Sequence, residues 1–308
     1  MPQPEQSSKV ENTTLSDLFK RCEAAYQNAD NREMQRAVGE LFEFINQQEI
    51  DEPTIELAAQ AEEYLAQQDW ESALNTYVKA CDVASNRNSP GIEYKARADL
   101  AEFYTFVGEH QLAATASFSA LQAARKSGNK IILLIALYGY SGDLLSAGSI
   151  SEALPVCNEM VEHCSTNGLK GLPAARALVM RARCFVMLGA ITQAEHDLQA
   201  AWPHLEPARG LHAAAGLQAC LAGWWETRAR LKAAKEEYDE AAEAWQTAVE
   251  HRRVVCLAPQ ISGPFKYARL ANTLGHLAEA LKVINDGAGA AAALKECEAL
   301  RRQIHQPV

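Results

Sequence analysis

Basic residues are in deficit. Lysine and arginine number 29 against 39 aspartates and glutamates, a formal net charge of −10. Such a chain lacks the broad basic face that displaces counterions from a phosphate backbone. That excludes a general nucleic-acid binder but leaves room for a local basic patch. Long apolar runs are missing too. No uncharged stretch reaches the roughly 18 residues of a membrane span, and the longest candidate, residues 131–140, is too short. Residues 1–13, polar and rich in Pro, Gln, Ser and Glu, lack the positive start and apolar stretch of a signal peptide and predict a disordered tail. No CxxC pair occurs among the eight cysteines, and most of them fall in apolar helical patterns. They read as reduced core thiols of a cytoplasmic protein, not as a disulfide framework. Absent as well are a P-loop, HExxH, GxSxG and the Rossmann glycine fingerprint, so no cofactor and no enzyme is expected. Cys157, His163 and Cys164, with Cys184 able to approach from the next unit, come nearest to a metal set. Zinc sites use shorter chelating pairs, and the reading is packed thiols beside a surface histidine, with no metal. Runs of β-branched residues are scarce, which favours helix over strand.

Against these absences stands a repeat. Ala73, Ala113, Ala153, Ala194, Ala241 and Ala280 follow one another at intervals of 40, 40, 41, 47 and 39 residues. Five positions before each lies a Gly or polar residue (Gln68, Gly108, Gly148, Gly189, Glu236, Gly275), and in most copies a bulky residue lies three before. Self-similarity at such a period is the mark of a solenoid, whose units bury their apolar faces on their neighbours. Apolar stripes at helical spacing place the units at about 14–49, 53–86, 92–127, 130–166, 174–206, 211–253 and 265–286, with Pro203 and Pro207 closing the fifth. The interval of 47 predicts an extra turn or a longer helix near 208–220. Residues 290–305 read as one amphipathic capping helix. The expectation is an all-α chain: a right-handed α-solenoid of about seven antiparallel helix pairs, then a cap.

One unit reads Leu57, Ala61, Tyr64, Trp70, Ala73, Tyr77, Ala80; others read Ala101, Tyr104, Gly108, Ala113, Ala120 and Ala182, Phe185, Gly189, Ala194, Ala201. At these residues the chain resembles the tetratricopeptide repeat family. Its small residues are required because helices cross closely only where side chains are short. The family's period is about 34 residues. A period near 40 implies longer helices or loops, as in the extended repeats of bacterial regulatory arrays, and a HEAT-like solenoid stays open as an alternative. The resemblance also implies that first helices line the concave face. Counting back eleven positions from Ala37 of the first unit and from the six alanines then gives Tyr26, Glu62, Glu102, Gly142, Arg183, Arg230 and Arg269, and counting back eighteen adds Arg176. The implied groove passes from acidic to arginine-lined. Arginine forks pair with carboxylates, so the partner expected is a protein or peptide with an acidic segment. Alternatively the arginines form internal salt bridges, with Glu226 and Glu195 as candidates. Lys and Asn, which the family's chaperone-tail clamp requires, are replaced by Ala58 and Glu62 in the matching places. Of the adjacent Trp224 and Trp225, both belong to the core or one, Trp225, anchors a partner. The implied function is a non-catalytic interaction scaffold; a regulatory sensor of a peptide or small molecule is the alternative.

Overall fold

A computed structural model of the chain describes residue 21 and residues 52–206, 215–258 and 265–304. The tail at 1–13 and, Arg21 apart, the unit expected at about 14–49 lie outside the described residues. Within them run twelve helices and no strand: α1 (Glu52–Ala66), α2 (Trp70–Asn86), α3 (Pro90–Phe106), α4 (His110–Ser127), α5 (Lys130–Ser146), α6 (Ile150–Thr166), α7 (Leu172–Met187), α8 (Ile191–Leu205), α9 (Ala215–Ala234), α10 (Tyr238–Leu257), α11 (Phe265–Val283) and α12 (Gly287–Ile304). They form six antiparallel pairs, each helix packed on the next in the chain. The longest described helices are α9 and α10, of 20 residues each; of the stretch 208–220, where lengthening is expected, residues 208–214 lie outside the described residues. Pro203 does not end α8, which runs on to Leu205. A proline one turn from a helix end removes a single backbone hydrogen bond there and is tolerated.

One turn closes every pair. Gln68, Gly108, Gly148, Gly189, Glu236 and Asn285 all hold positive φ, between 61° and 85°. The amide after each returns to a carbonyl five residues back, as in Asp69 N–Tyr64 O and Ser149 N–Leu144 O at 2.9 Å. This left-handed cap satisfies carbonyls that the helix end would leave orphaned. The second helix starts within two residues, and five positions after the left-handed residue comes the alanine. Ala73, Ala113, Ala153, Ala194, Ala241 and Ala290 are all buried. Ala280 is therefore not the sixth member: it lies inside α11, half-buried. Asn285 makes the last turn and Ala290 follows it, an interval of 49 from Ala241. So α11 alone fills most of the stretch expected as a pair at 265–286. The terminal helix α12 is its outer partner as well as the end of the array.

First helices touch across units, α1 on α3, α3 on α5, α5 on α7 and α7 on α9, and so form the inner face. The array curls until its ends meet. Phe265 at the start of α11 stands edge-on to Phe106 at the end of α3, ring centroids 5.2 Å apart. Phe106 also meets Trp70 at 5.6 Å and is buried with Ala268 and Ile304. The concave face formed by the first helices, called the lumen below, thus lies between helices brought together at this contact. Truncating Phe106 removes the centre of this contact. Phe106→Ala is expected to lower the unfolding free energy by about 3 kcal/mol and to raise the radius of gyration seen by X-ray scattering. An unchanged scattering curve would mean that the ends are held elsewhere.

Candidate partner-binding site

The arginine side of the lumen is built by α7, α9, α10 and α11. Arg176 and Arg183 lie two helical turns apart on α7; Glu226 and Arg230 lie one turn apart on α9. Glu226 is buried and accepts from Arg252 Nε at 2.8 Å and from the Thr273 hydroxyl at 2.9 Å. Burial pushes its carboxyl up, but the guanidiniums of Arg252, Arg230 and Arg183 more than reverse this and hold it below the ordinary value. Arg230 stacks on Trp245 at 4.7 Å, with His276 stacked on Trp245 at 4.9 Å. Its Nη1 reaches only a backbone carbonyl, that of Glu226, at 3.3 Å. Burial and then repulsion from Arg183 bring Arg230 down to about 10. Three guanidiniums thus surround one carboxylate. Arg183 carries the sharpest deficit: its Nε is the one buried side-chain nitrogen or oxygen without a hydrogen-bond partner among the described residues. Arg176 donates to the Gly216 carbonyl at 3.1 Å and lies over the Tyr138 ring at 5.6 Å. Arg176, Arg183, Tyr138, Glu226 and Arg252 share a cavity of about 50 Å³, room for more than one water.

The acidic side comes from α3 and α5. Asp99, Glu102 and Asp143 all stand above their ordinary carboxylate values, because burial penalises the charged form. Glu102 is accessible to water at its surface yet deep among protein atoms, as a side chain facing a lumen must be. Asp143 accepts from the Thr105 hydroxyl at 2.9 Å. Arg269 on α11 lowers both Glu102 and Asp143 through space, so the closed array sets its last arginine opposite these acids.

The two glutamates named as candidate internal partners are engaged by other residues. Glu195 pairs with Lys235 at 2.7 Å and Glu226 with Arg252 at 2.8 Å. Among the described residues, Arg176, Arg183, Arg230 and Arg269 make no ion pair. The contrast is Arg181 on the other side of α7, which grips the buried Asp197 with two bonds of 2.7 and 2.8 Å and clips α7 to α8. Arg269, reached by counting from the wrong alanine, still faces the lumen, one turn before Thr273. Glu62 is exposed on α1 and adds, with Asp99 and Glu102, to the negative field on the buried Tyr77 hydroxyl. Trp225 does not join the groove. It sits on the side of α9 away from Arg230, edge-on to Trp224 at 4.9 Å, while Trp224 is buried and donates to the Leu198 carbonyl at 3.0 Å. Arg252 was missed because it lies on a second helix. Its signal was a charge within the apolar stripe Trp245, Ala248, Val249. Tyr26 lies outside the described residues, and Gly142 is partly buried on α5. Cys157 and Cys184 meet at 3.4 Å between Sγ atoms, both buried, as packed thiols. No set of three or more His, Cys, Asp or Glu suited to a metal occurs among the described residues, and no described helix is long and apolar enough to cross a membrane.

These features define a helical-repeat protein of tetratricopeptide type with a charged lumen. No protein-family profile and no curated protein matches the chain. Solved structures do. Aspartyl phosphate phosphatase F from Bacillus subtilis is similar with TM-score 0.58 at 13% identity, over 96% of this chain and 72% of that one. The Rap conjugation gene regulator of plasmid pLS20, solved in complex with the Phr* peptide, gives 0.50 at 12%, over 94% and 96%. The kinesin light chain TPR-like repeats of Podosopora anserina give 0.50 at 14%, over 66% and 97%. At such identities the likeness is one of fold.

Asp143 supplies a test of the lumen. A carboxyl with a raised folded-state pKa contributes stability below its unfolded value of 3.8 and loses it as pH rises through the folded value. Asp143→Asn, which keeps an acceptor for Thr105, is expected to be more stable than the parent at neutral pH. The gap should close in acid, where both side chains are neutral. Denaturant midpoints at neutral and acid pH measure this, and a gap that widens in acid would contradict the burial of Asp143.

Proposed function

We propose that the protein is a non-catalytic scaffold that holds an extended segment of a partner protein, or a peptide, in its lumen. The segment's carboxylates turn toward Arg176, Arg183, Arg230 and Arg269. One observation carries the reading: among the described residues, four arginines on the inner side make no ion pair, and one has a buried N–H without an acceptor. Holding charges together in this state costs stability unless something outside the chain neutralises them. An acidic segment does so with charge-assisted bonds, and a peptide bound to a structure of the same fold supports the idea. The buried free thiols fit the reducing cytoplasm.

A second reading, a regulatory sensor, is favoured by the closure at Phe106 and Phe265. A ligand bridging Arg269 and the α7 arginines would change how firmly the ends meet, because solenoid units contact only their neighbours elsewhere. Scattering with and without ligand separates the two: compaction speaks for a sensor, a constant radius for a constitutive scaffold.

Acetyl-(Ala-Glu)4-amide is the probe for the lumen, with acetyl-(Ala-Gln)4-amide as its neutral counterpart. Calorimetry should detect the first and not the second. Arg183→Gln should weaken binding by about tenfold, the worth of a charge-assisted hydrogen bond, without lowering the melting temperature. Arg253→Gln should have no effect, because Arg253 pairs with Glu296 on an exposed surface. Equal affinity in Arg183→Gln and the parent would reject the lumen as the site.

A further inference from the structure

The opposite side of α9 carries a second arrangement that the lumen does not use. Successive residues of a helix turn by about 100°, so Trp224, Trp225 and Arg228 share one side and Glu226 and Arg230 the other. On the first side, Trp202 and Gln199 of α8 complete an open groove of about 460 Å³, within the size range of ligand sites. The three indoles are in mutual contact: Trp202 lies 4.7 Å from Trp224 and 6.4 Å, edge-on, from Trp225. Arg228 lies over both indoles of α9, at 5.4 Å from Trp224 and 5.3 Å from Trp225. Stacking fixes the guanidinium plane but leaves its charge unanswered. No ion pair to Arg228 occurs among the described residues; Glu195 pairs with Lys235, and Glu237 and Glu240 with Lys232. Trp224 spends its N–H on Leu198, whereas the Trp225 N–H makes no hydrogen bond among the described residues.

We propose that this groove docks a segment of a partner protein that presents an aromatic side chain next to a carboxylate. The indoles receive the ring, with the edge-to-face or offset geometry that aromatic pairs prefer. The carboxylate meets the Arg228 fork and the free Trp225 N–H. Tryptophan and arginine lining one groove, with Trp202, Trp225 and Arg228 partly exposed, make the composition of an interface hot spot. The openness between two helices suits a protein segment better than an enclosed small molecule. This site stands apart from the lumen and does not depend on it.

The chain has five tryptophans, so its indole N–H resonances form a short spectrum that Trp→Phe variants can assign. Acetyl-Phe-Asp-amide, titrated into the full chain, should move the Trp225 and Trp202 resonances and leave Trp70 and Trp245 in place. Acetyl-Phe-Asn-amide should bind about tenfold more weakly, having lost the charge-assisted contact. Arg228→Gln should bind both peptides equally and weakly, with the Trp70 and Trp245 resonances reporting that its fold is intact. An unmoved Trp225, equal titrations of the two peptides on the parent protein, or an Asp preference that survives in Arg228→Gln would overturn the proposal. The comparison of the two peptides needs no variant to fold.

Discussion

Each hairpin depends on the same two-part device: one residue forced into the left-handed region, and an alanine five positions later. The left-handed residue reverses the chain and hands two orphaned carbonyls to amides of the turn. The alanine then sits where the second helix first crosses the first, and a larger side chain there would push the axes apart. Six copies of this constraint recur, one in each described pair. The curvature of the array, its closure at Phe106 and Phe265, and the existence of a lumen all follow from repeating one local geometry. Three of the left-handed positions are Gln68, Glu236 and Asn285. A side chain there carries a steric cost of about 1–2 kcal/mol that glycine avoids. That the turn persists shows that packing of the two helices outweighs the cost.

Much of this was legible in the residues, and the failures have identifiable causes. Helix existence, pairing and the inner side came through because small residues recur at a near-constant interval. The last unit was misread because Gly275 imitates a turn. Gly275 lies within α11, whereas the real turn is built on Asn285. Asparagine tolerates the left-handed region through its short polar side chain, so a search keyed to glycine passes over it. The arginine side was legible in part. Counting from the alanines found Arg176, Arg183 and Arg230, all on first helices. It could not find Arg252 or Thr273, which belong to the site through contacts between units and not through the repeat. Closure was invisible, since Phe106 and Phe265 are distant in sequence and belong to no shared motif.

Two kinds of arginine on α7 show what the fold does with charge. Arg181 turns outward from the lumen and meets Asp197, which α8 supplies at matching height. A bidentate pair of this sort fixes two helices in one register. Arg183, two residues on, turns inward, repels Arg230 and shares the Glu226 carboxylate with Arg230 and Arg252. The same side chain is structural on one side of a helix and unsatisfied on the other. A core arginine kept only for stability would be replaced without loss by an apolar residue of similar size. Three guanidiniums around Glu226 leave an excess of positive charge in this part of the structure.

Enclosure decides how strongly such an excess acts. In an open trough, salt would screen it within about 8–10 Å. Between the low-dielectric walls that the Phe106–Phe265 contact brings together, the field of these charges is focused and less screened. The acids Asp99, Glu102 and Asp143 work at the other end of the same gradient. Burial favours their protonated forms, so their opposition to an anionic ligand is weaker than their number suggests. The positive field of the arginines is therefore only partly cancelled by these acids. The closure that shapes the lumen is thus also what gives its arginines their reach.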